Sequence, residues 1–201
     1  MKILHLDCSP REQSHSRWLS AEIVQRLQAS AQQGVVIRRD LGREPLPHAE
    51  PDYAHALSSP SAATAAEAQE AIQLSEQLIA ELEAADRVVI GTPMNNFTVP
   101  SVLKAWIDQV LRVGRSIGVD AQGRKVGLLV DRPVDVAIAS GGVFHGPQAR
   151  QPDFLIPYLQ AAFACIGITS LRFFPLQGTA FIDENAISAA RAAVLQKWDE
   201  A

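Results

Sequence analysis

The chain has 201 residues, 47% of them hydrophobic and 20% charged, a length and balance that suit one globular domain with a core that needs no disulfide or metal. Its formal net charge of −4 argues against nucleic acid as the main partner. Its two cysteines, Cys8 and Cys165, have no paired spacing, which argues against a disulfide framework or a zinc site, and no apolar run approaches a membrane span.

Lys2–Asp7 is a short apolar run followed by Ser9 and Pro10, which predicts a first strand and its exit loop. It is too short for a secretion signal, so a reducing cytoplasm is the expected location. Ser14 and Ser16 are N-cap candidates for a helix whose buried face is Leu19, Ile23 and Leu27. Residues 35–38 form a second strand. Residues 40–61 carry Pro45, Pro47, Pro51 and Pro60 and read as irregular, hence as a functional loop or a surface wrap. A long helix is expected over 64–84, with Ala71, Leu74, Leu78 and Leu82 on one stripe.

Residues 88–91 are a third strand that breaks into a polar, proline-bounded loop. A helix then buries Leu103, Trp106, Ile107 and Val110. Residues 134–139 form a fourth strand ending at Ser140-Gly141-Gly142. The helix predicted over 154–166 tolerates Pro157 only near its start, and Gly167 stops it. Leu171–Leu176 is the last strand, and residues 183–198 close the chain as a helix with Ile187, Ala190, Val194 and Trp198 inward. No linker or repeat divides the chain, so residues 1–201 are expected to form a single domain. Five strands alternating with five helices predict an α/β three-layer sandwich: a five-stranded parallel sheet with helices on both faces.

Three loops would then meet at one sheet edge. In a flavodoxin-like strand order, 2-1-3-4-5, they lie at the switch point, where FMN is a usual occupant. The first offers Ser9, Ser14 and Ser16 hydroxyls and the free amides of a helix start, a setting that suits a phosphate or a plain serine-rich cap. The second offers exposed amides and two asparagines to the edge of a flat heterocycle. In the third, Gly141 and Gly142 either make a turn or let backbone approach a ring. His145 just beyond is a solvated residue or a hydrogen-bond donor or acid, while His5, His48 and His55 have no supporting context. Cys8 reads as a small buried residue rather than a catalytic thiol. A two-component receiver is excluded: Asp7 stands without an acidic cluster, and Leu176-Gln177-Gly178 at the end of the last strand offers no lysine. Walker-type and dinucleotide glycine motifs are absent.

At this point the residues resemble the FMN-dependent NADH-azoreductases, relatives of the flavodoxin-like quinone reductases, over nearly the whole chain. The resemblance is carried by Pro93-Met94, Asn96-Phe97 and Val99-Pro100, by Leu103-Lys104-Ala105-Trp106-Ile107-Asp108, by Gly127-Leu128 and by Ser140-Gly141-Gly142. It implies FMN bound at a homodimer interface. Ser9, Ser14, His15 and Ser16 match the phosphate loop. Pro93, Met94, Asn95, Asn96 and Phe97 match the segment along the flavin ring, with Asn96 near its polar edge, and Ala139, Ser140, Gly141 and Gly142 match the second ring-contacting loop.

The family also implies NADH or NADPH as co-substrate and two-electron, ping-pong hydride transfer through flavin N5 to a quinone or azo compound. No side chain need act as a nucleophile, and Asn96 and His145 are the candidate assistants. A flavin-binding electron carrier or sensor is the alternative. The chain departs from the family at Asn95 (usually tyrosine), at Ala139 (usually serine) and across 117–119, which lack the usual aromatic pair. Phe144 stands where a histidine often lies, and His145 follows it. Missing aromatic faces weaken stacking against planar acceptors.

Overall fold

The computed structural model of the protein describes residues 1–31, 34–57 and 66–201. In chain order the elements are β1 (Lys2–Asp7), α1 (His15–Ser30), β2 (Val35–Asp40), α2 (Pro51–Ala56), α3 (Ala66–Ala84), β3 (Arg87–Pro93), α4 (Ser101–Val110), β4 (Ile117–Val119), β5 (Lys125–Gly127), β6 (Val134–Ala139), α5 (Leu155–Cys165), β7 (Leu171–Leu176) and α6 (Glu184–Asp199). The main sheet runs β2-β1-β3-β6-β7 with every pair parallel. Counted among these five strands, that is the flavodoxin-like order 2-1-3-4-5.

Strands buried on both faces read as near-continuous apolar runs, and β1, β3 and β6 follow that rule. Ile3, Val89 and Ala137 face a core made with Leu19, Ile23 and Leu27 of α1 and Val194 and Leu195 of α6. Leu4, Leu6, Val88, Ile90 and Val136 face the opposite core, with Leu78 and Leu82 of α3, Leu103, Trp106 and Ile107 of α4, and Leu159 and Phe163 of α5. The Trp106 and Phe163 rings stack there with centroids 6.2 Å apart. Each fully buried Leu or Ile contributes roughly 1.5–3 kcal/mol.

From β1 the chain runs through α1 to β2 on one side, then through α3 to β3 on the other. The crevice at the carboxyl ends of β1 and β3 is therefore the switch point of the sheet.

Two differences from the sequence reading have physical causes. The stretch 40–61 is not wholly irregular, because Pro51 occupies the first turn of α2, where its missing N–H removes no helical bond, and Tyr53 and Ala56 are buried. Residues 58–61 of that stretch and the helix start predicted at 64–65 lie outside the described residues. The second difference is β4–β5, an antiparallel ribbon of three residues per strand, too short to leave a periodic signal. At α5, Asp153 Oδ1 accepts from the Leu155 and Ile156 amides at 2.9 and 3.0 Å, which leaves Pro157 in the first turn.

Candidate functional site

A cavity of about 270 Å³ opens at the carboxyl ends of β1, β3 and β6. Larger hollows exist, such as one of about 420 Å³ beside β7, but this one gathers all three predicted loops.

The first loop is clamped from behind. The Cys8 amide donates to Gly91 O at 2.8 Å and carries β1 on beside β3. Buried Arg17 donates from Nε to Ser9 O at 2.8 Å and from Nη1 to Asp40 Oδ2 at 2.7 Å, tying the loop to the end of β2. Asp7 beneath it accepts from Arg38 Nη2 at 2.6 Å and from Ser20 Oγ at 3.1 Å, with His5 Nε2 at 3.4 Å. Burial alone would raise the Asp7 carboxyl. His5 and Arg38 outweigh it and hold the group at about 2. His5 also hydrogen-bonds Ser20 at 3.0 Å, so the reading that His5 has no supporting context is corrected: it belongs to the buried network under the site.

Gly42 completes the clamp, because a Cβ there would stand 2.1 Å from Ser9 O. Burial, with Asp7 adding to it, pushes the Cys8 thiol far above its ordinary range, so Cys8 is an inert, small, buried residue.

Ser9, Ser14 and His15 line the cavity, whereas fully buried Ser16 stands behind Ser14 with the two hydroxyls 3.0 Å apart. Ser14 occupies the N-cap of α1, but its side chain makes no cap bond to the helix. The amides at the start of α1 thus keep their capacity for another acceptor. Arg191 Nη2 lies 2.8 Å from His15 Nδ1. Burial, then the Arg191 and Arg11 charges, hold the His15 pKa below its ordinary value, so the imidazole is neutral at pH 7.

In the second loop, the Met94 amide continues the sheet by donating to Ala139 O at 2.9 Å. Asn95 and Thr98 then exchange two backbone hydrogen bonds of 3.0 Å each, and Asn96 and Phe97 between them have φ of 47° and 72°. Positive φ at both central positions is the pattern of a type I′ turn. Asn tolerates it, but for a bulky residue such as Phe97 the left-handed region costs about 1–2 kcal/mol. The turn is held from outside, where the Phe154 amide donates to Phe97 O at 3.0 Å. Pro93, Met94 and Asn95 line the cavity, while Asn96 and Phe97 sit exposed at the tip.

In the third loop, the Ser140 amide donates to Leu176 O at 2.9 Å, and Ser140 O accepts from the Thr179 amide at 3.2 Å and hydroxyl at 3.1 Å. Ala139, Ser140 and Gly141 line the cavity. Gly142 lies outside this cavity, with its α-carbon against the Gln151 carboxamide. Gln151 in turn donates from Nε2 to Met94 Sδ at 3.2 Å and to Ser140 Oγ at 3.4 Å, joining the second and third loops. His145 is exposed and lines the separate hollow beside β7 with Phe173 and Lys197.

The sequence reading did not single out Pro10, Arg11 and Thr179, which also line the cavity. Arg11 follows Ser9-Pro10 directly, a signal that was available. Thr179 comes from a fourth loop, after β7, and only the fold brings it there. The cavity offers hydroxyls, helix-start amides and the Arg11 cation to an anion at one end, and backbone edges to a flat group at the other. Among the described residues, no cluster of His, Cys, Asp and Glu could hold a metal ion.

A family model described as the flavodoxin-like fold matches residues 1–201. The FMN-dependent NADH:quinone oxidoreductase 5 of Burkholderia lata is 46% identical over 195 residues, covering 96% of this chain and 93% of that protein. The FMN-dependent NADH:quinone oxidoreductase of Nostoc punctiforme is 40% identical over 198 residues, covering 96% of both. Among solved structures, an azoreductase from Bacillus anthracis superposes with a TM-score of 0.85 at 23% identity over the whole of both chains. An FMN-dependent NADH-azoreductase of the same species, solved in complex with FMN, gives 0.85 at 22%, covering 99% of this chain and 98% of that one. With the strand order, the switch-point cavity and the full-length match in agreement, the chain belongs to the flavodoxin-like family that includes the FMN-dependent NADH:quinone oxidoreductases.

Proposed function

We propose that the protein is an FMN-dependent NAD(P)H oxidoreductase that reduces quinones and azo compounds. The observation that carries this reading is the switch-point cavity, in which Ser9, Ser14, Met94, Asn95 and Gly141 meet. It rests as well on full-length relatives named FMN-dependent NADH:quinone oxidoreductases.

The residues present fit the cofactor. The α1 amides are not capped by Ser14 and suit a phosphate, with Arg11 adding positive charge. At the other end Gly141 presents a wall without a Cβ, so backbone can lie close against a ring. When bound, the flavin supplies two-electron redox chemistry. The residues of this chain bind it, orient it and set its surroundings. Pro93, Met94 and Asn95 would lie along the ring. Asn96 and Phe97, exposed at the tip of the strained turn, would meet the ring edge and the incoming substrates. His145 lies outside the cavity, so we assign it no part in the reaction.

We read residues 1–201 as one domain of a cytoplasmic protein, acting as a homodimer. Val113, Val119, Leu128 and Val130, on and beside the β4–β5 ribbon, are exposed apolar side chains suited to such a contact.

Gel filtration of the protein mixed with FMN, monitored by flavin absorbance, tests both points. The expected result is flavin co-eluting with a dimer-sized species. A colourless protein peak would refute FMN binding, and a yellow monomer would refute the dimer alone.

A further inference from the structure

We propose that Arg191 of α6 is a positioning residue for the phosphate end of the site, holding His15 in the tautomer whose Nε2 carries the proton. The inference rests on the FMN reading above and adds a residue from the far end of the chain to it.

A guanidinium has N–H groups and no acceptor, so the 2.8 Å contact between Arg191 Nη2 and His15 Nδ1 requires a lone pair on Nδ1. A neutral imidazole that accepts at Nδ1 carries its hydrogen on Nε2. The same contact disfavours protonation, since an imidazolium would place N–H against N–H.

The arginine is itself held in place. Its guanidinium carbon lies 4.6 Å from the centroid of the Trp18 ring, one turn along α1 from His15. Its Nε is buried without a hydrogen-bond partner, so the ring and His15 define where the group sits. His15 is the first residue of α1 and lines the cavity beside Ser14, where the helix amides point.

An Nε2–H there adds one donor to the serine hydroxyls and amides without adding a charge that must be desolvated. The positive charge at this end comes from Arg11 and, at one remove, from Arg191. A phosphate with several acceptor oxygens uses such a donor, whereas a ligand lacking a phosphate does not.

The test compares FMN with riboflavin, which shares the ring and lacks the phosphate. Dissociation constants for both come from quenching of flavin fluorescence, for the wild type, Arg191→Met, Arg191→Lys, His15→Gln and the double variant His15→Gln/Arg191→Met. Methionine keeps an apolar stem on Trp18 and removes the donor. The expected result is FMN binding weakened about tenfold in Arg191→Met, or about 1.4 kcal/mol, with riboflavin changed less than about twofold. Arg191→Lys restores most of the loss. In the His15→Gln background, where an amide already supplies a donor, Arg191→Met has little further effect. Proton–nitrogen NMR of the flavin-free protein adds a second readout: the Nε2–H form of His15 dominates in the wild type and gives way to a mixture in Arg191→Met.

Equal weakening of FMN and riboflavin would reduce Arg191 to a structural role and overturn the inference. So would unchanged FMN binding in Arg191→Met, or an unchanged tautomer. A wild type that binds neither flavin overturns the cofactor reading itself, a result distinct from a variant that fails to discriminate.

Discussion

Asp7 sits under the first loop without touching the cavity, yet its carboxylate meets Arg38 at 2.6 Å, Ser20 at 3.1 Å and Arg17 at 3.6 Å. In the sequence it stands alone, because Arg17 and Arg38 are ten and thirty-one positions away and only the β1–β2 pairing and the α1 packing bring them in. Its pKa of about 2 lies below the ordinary 3.8. A depressed carboxyl stabilises the fold above its unfolded pKa, and that contribution is lost as pH falls through the folded value. A shift of this size in a fully buried group corresponds to about 2 kcal/mol. Asp7→Asn removes the buried carboxylate that Arg38 and Arg17 share, while Asp40 still pairs with Arg17, and should cost about 2–3 kcal/mol at pH 6. Because the asparagine does not titrate, urea unfolding of both proteins should show that gap narrowing by about 2 kcal/mol towards pH 2. A gap that stays constant with pH would mean Asp7 is not held ionised by its neighbours.

Among the elements, the main strands were legible as short apolar runs bounded by turn residues, and α1, α3, α4, α5 and α6 as apolar stripes at helical spacing. The exceptions follow from the same physics. Helix α2 hid behind prolines that read as breakers, although one of them starts the helix. The strands of β4–β5 have three residues each, too few for any period. The second loop was legible as a polar break, but not as a turn whose Phe97 takes a left-handed conformation. Gly42 gave no sign of its role, since the Ser9–Pro10 backbone that it must admit comes from another strand end. Gly42→Ala tests that role: the added methyl meets backbone that cannot yield cheaply, and overpacking of this kind costs about 1–3 kcal/mol. The expected outcome is a lower melting temperature together with weaker FMN binding, because Ser9 must shift. Unchanged FMN affinity in a folded Gly42→Ala protein would show that the first loop does not need this support.

At the level of the whole molecule, the strand order does most to assemble the site, since it places the ends of β1, β3 and β6 side by side. The three loops could be named from sequence because each follows a legible strand. Which residues within them reach the cavity could not, because that depends on how the loops lean on one another. Ser16 is hidden behind Ser14, Asn96 and Phe97 stay at the tip of their turn, and Thr179 arrives from a loop with no motif of its own. The departures at Asn95 and Ala139 lie in the cavity wall itself, so they bear on which planar acceptor fits more than on whether a flavin is held. In the proposed reaction this wall serves an electron donor and an acceptor in turn. The decisive experiment is an anaerobic titration: NADH or NADPH is added to the FMN-loaded protein, followed by one equivalent of a simple benzoquinone, with the flavin absorbance recorded throughout. The absorbance should be lost on adding the nicotinamide and return in full on adding the quinone. A flavin that stays oxidised with both nicotinamides, or that stays reduced after the quinone, would contradict it.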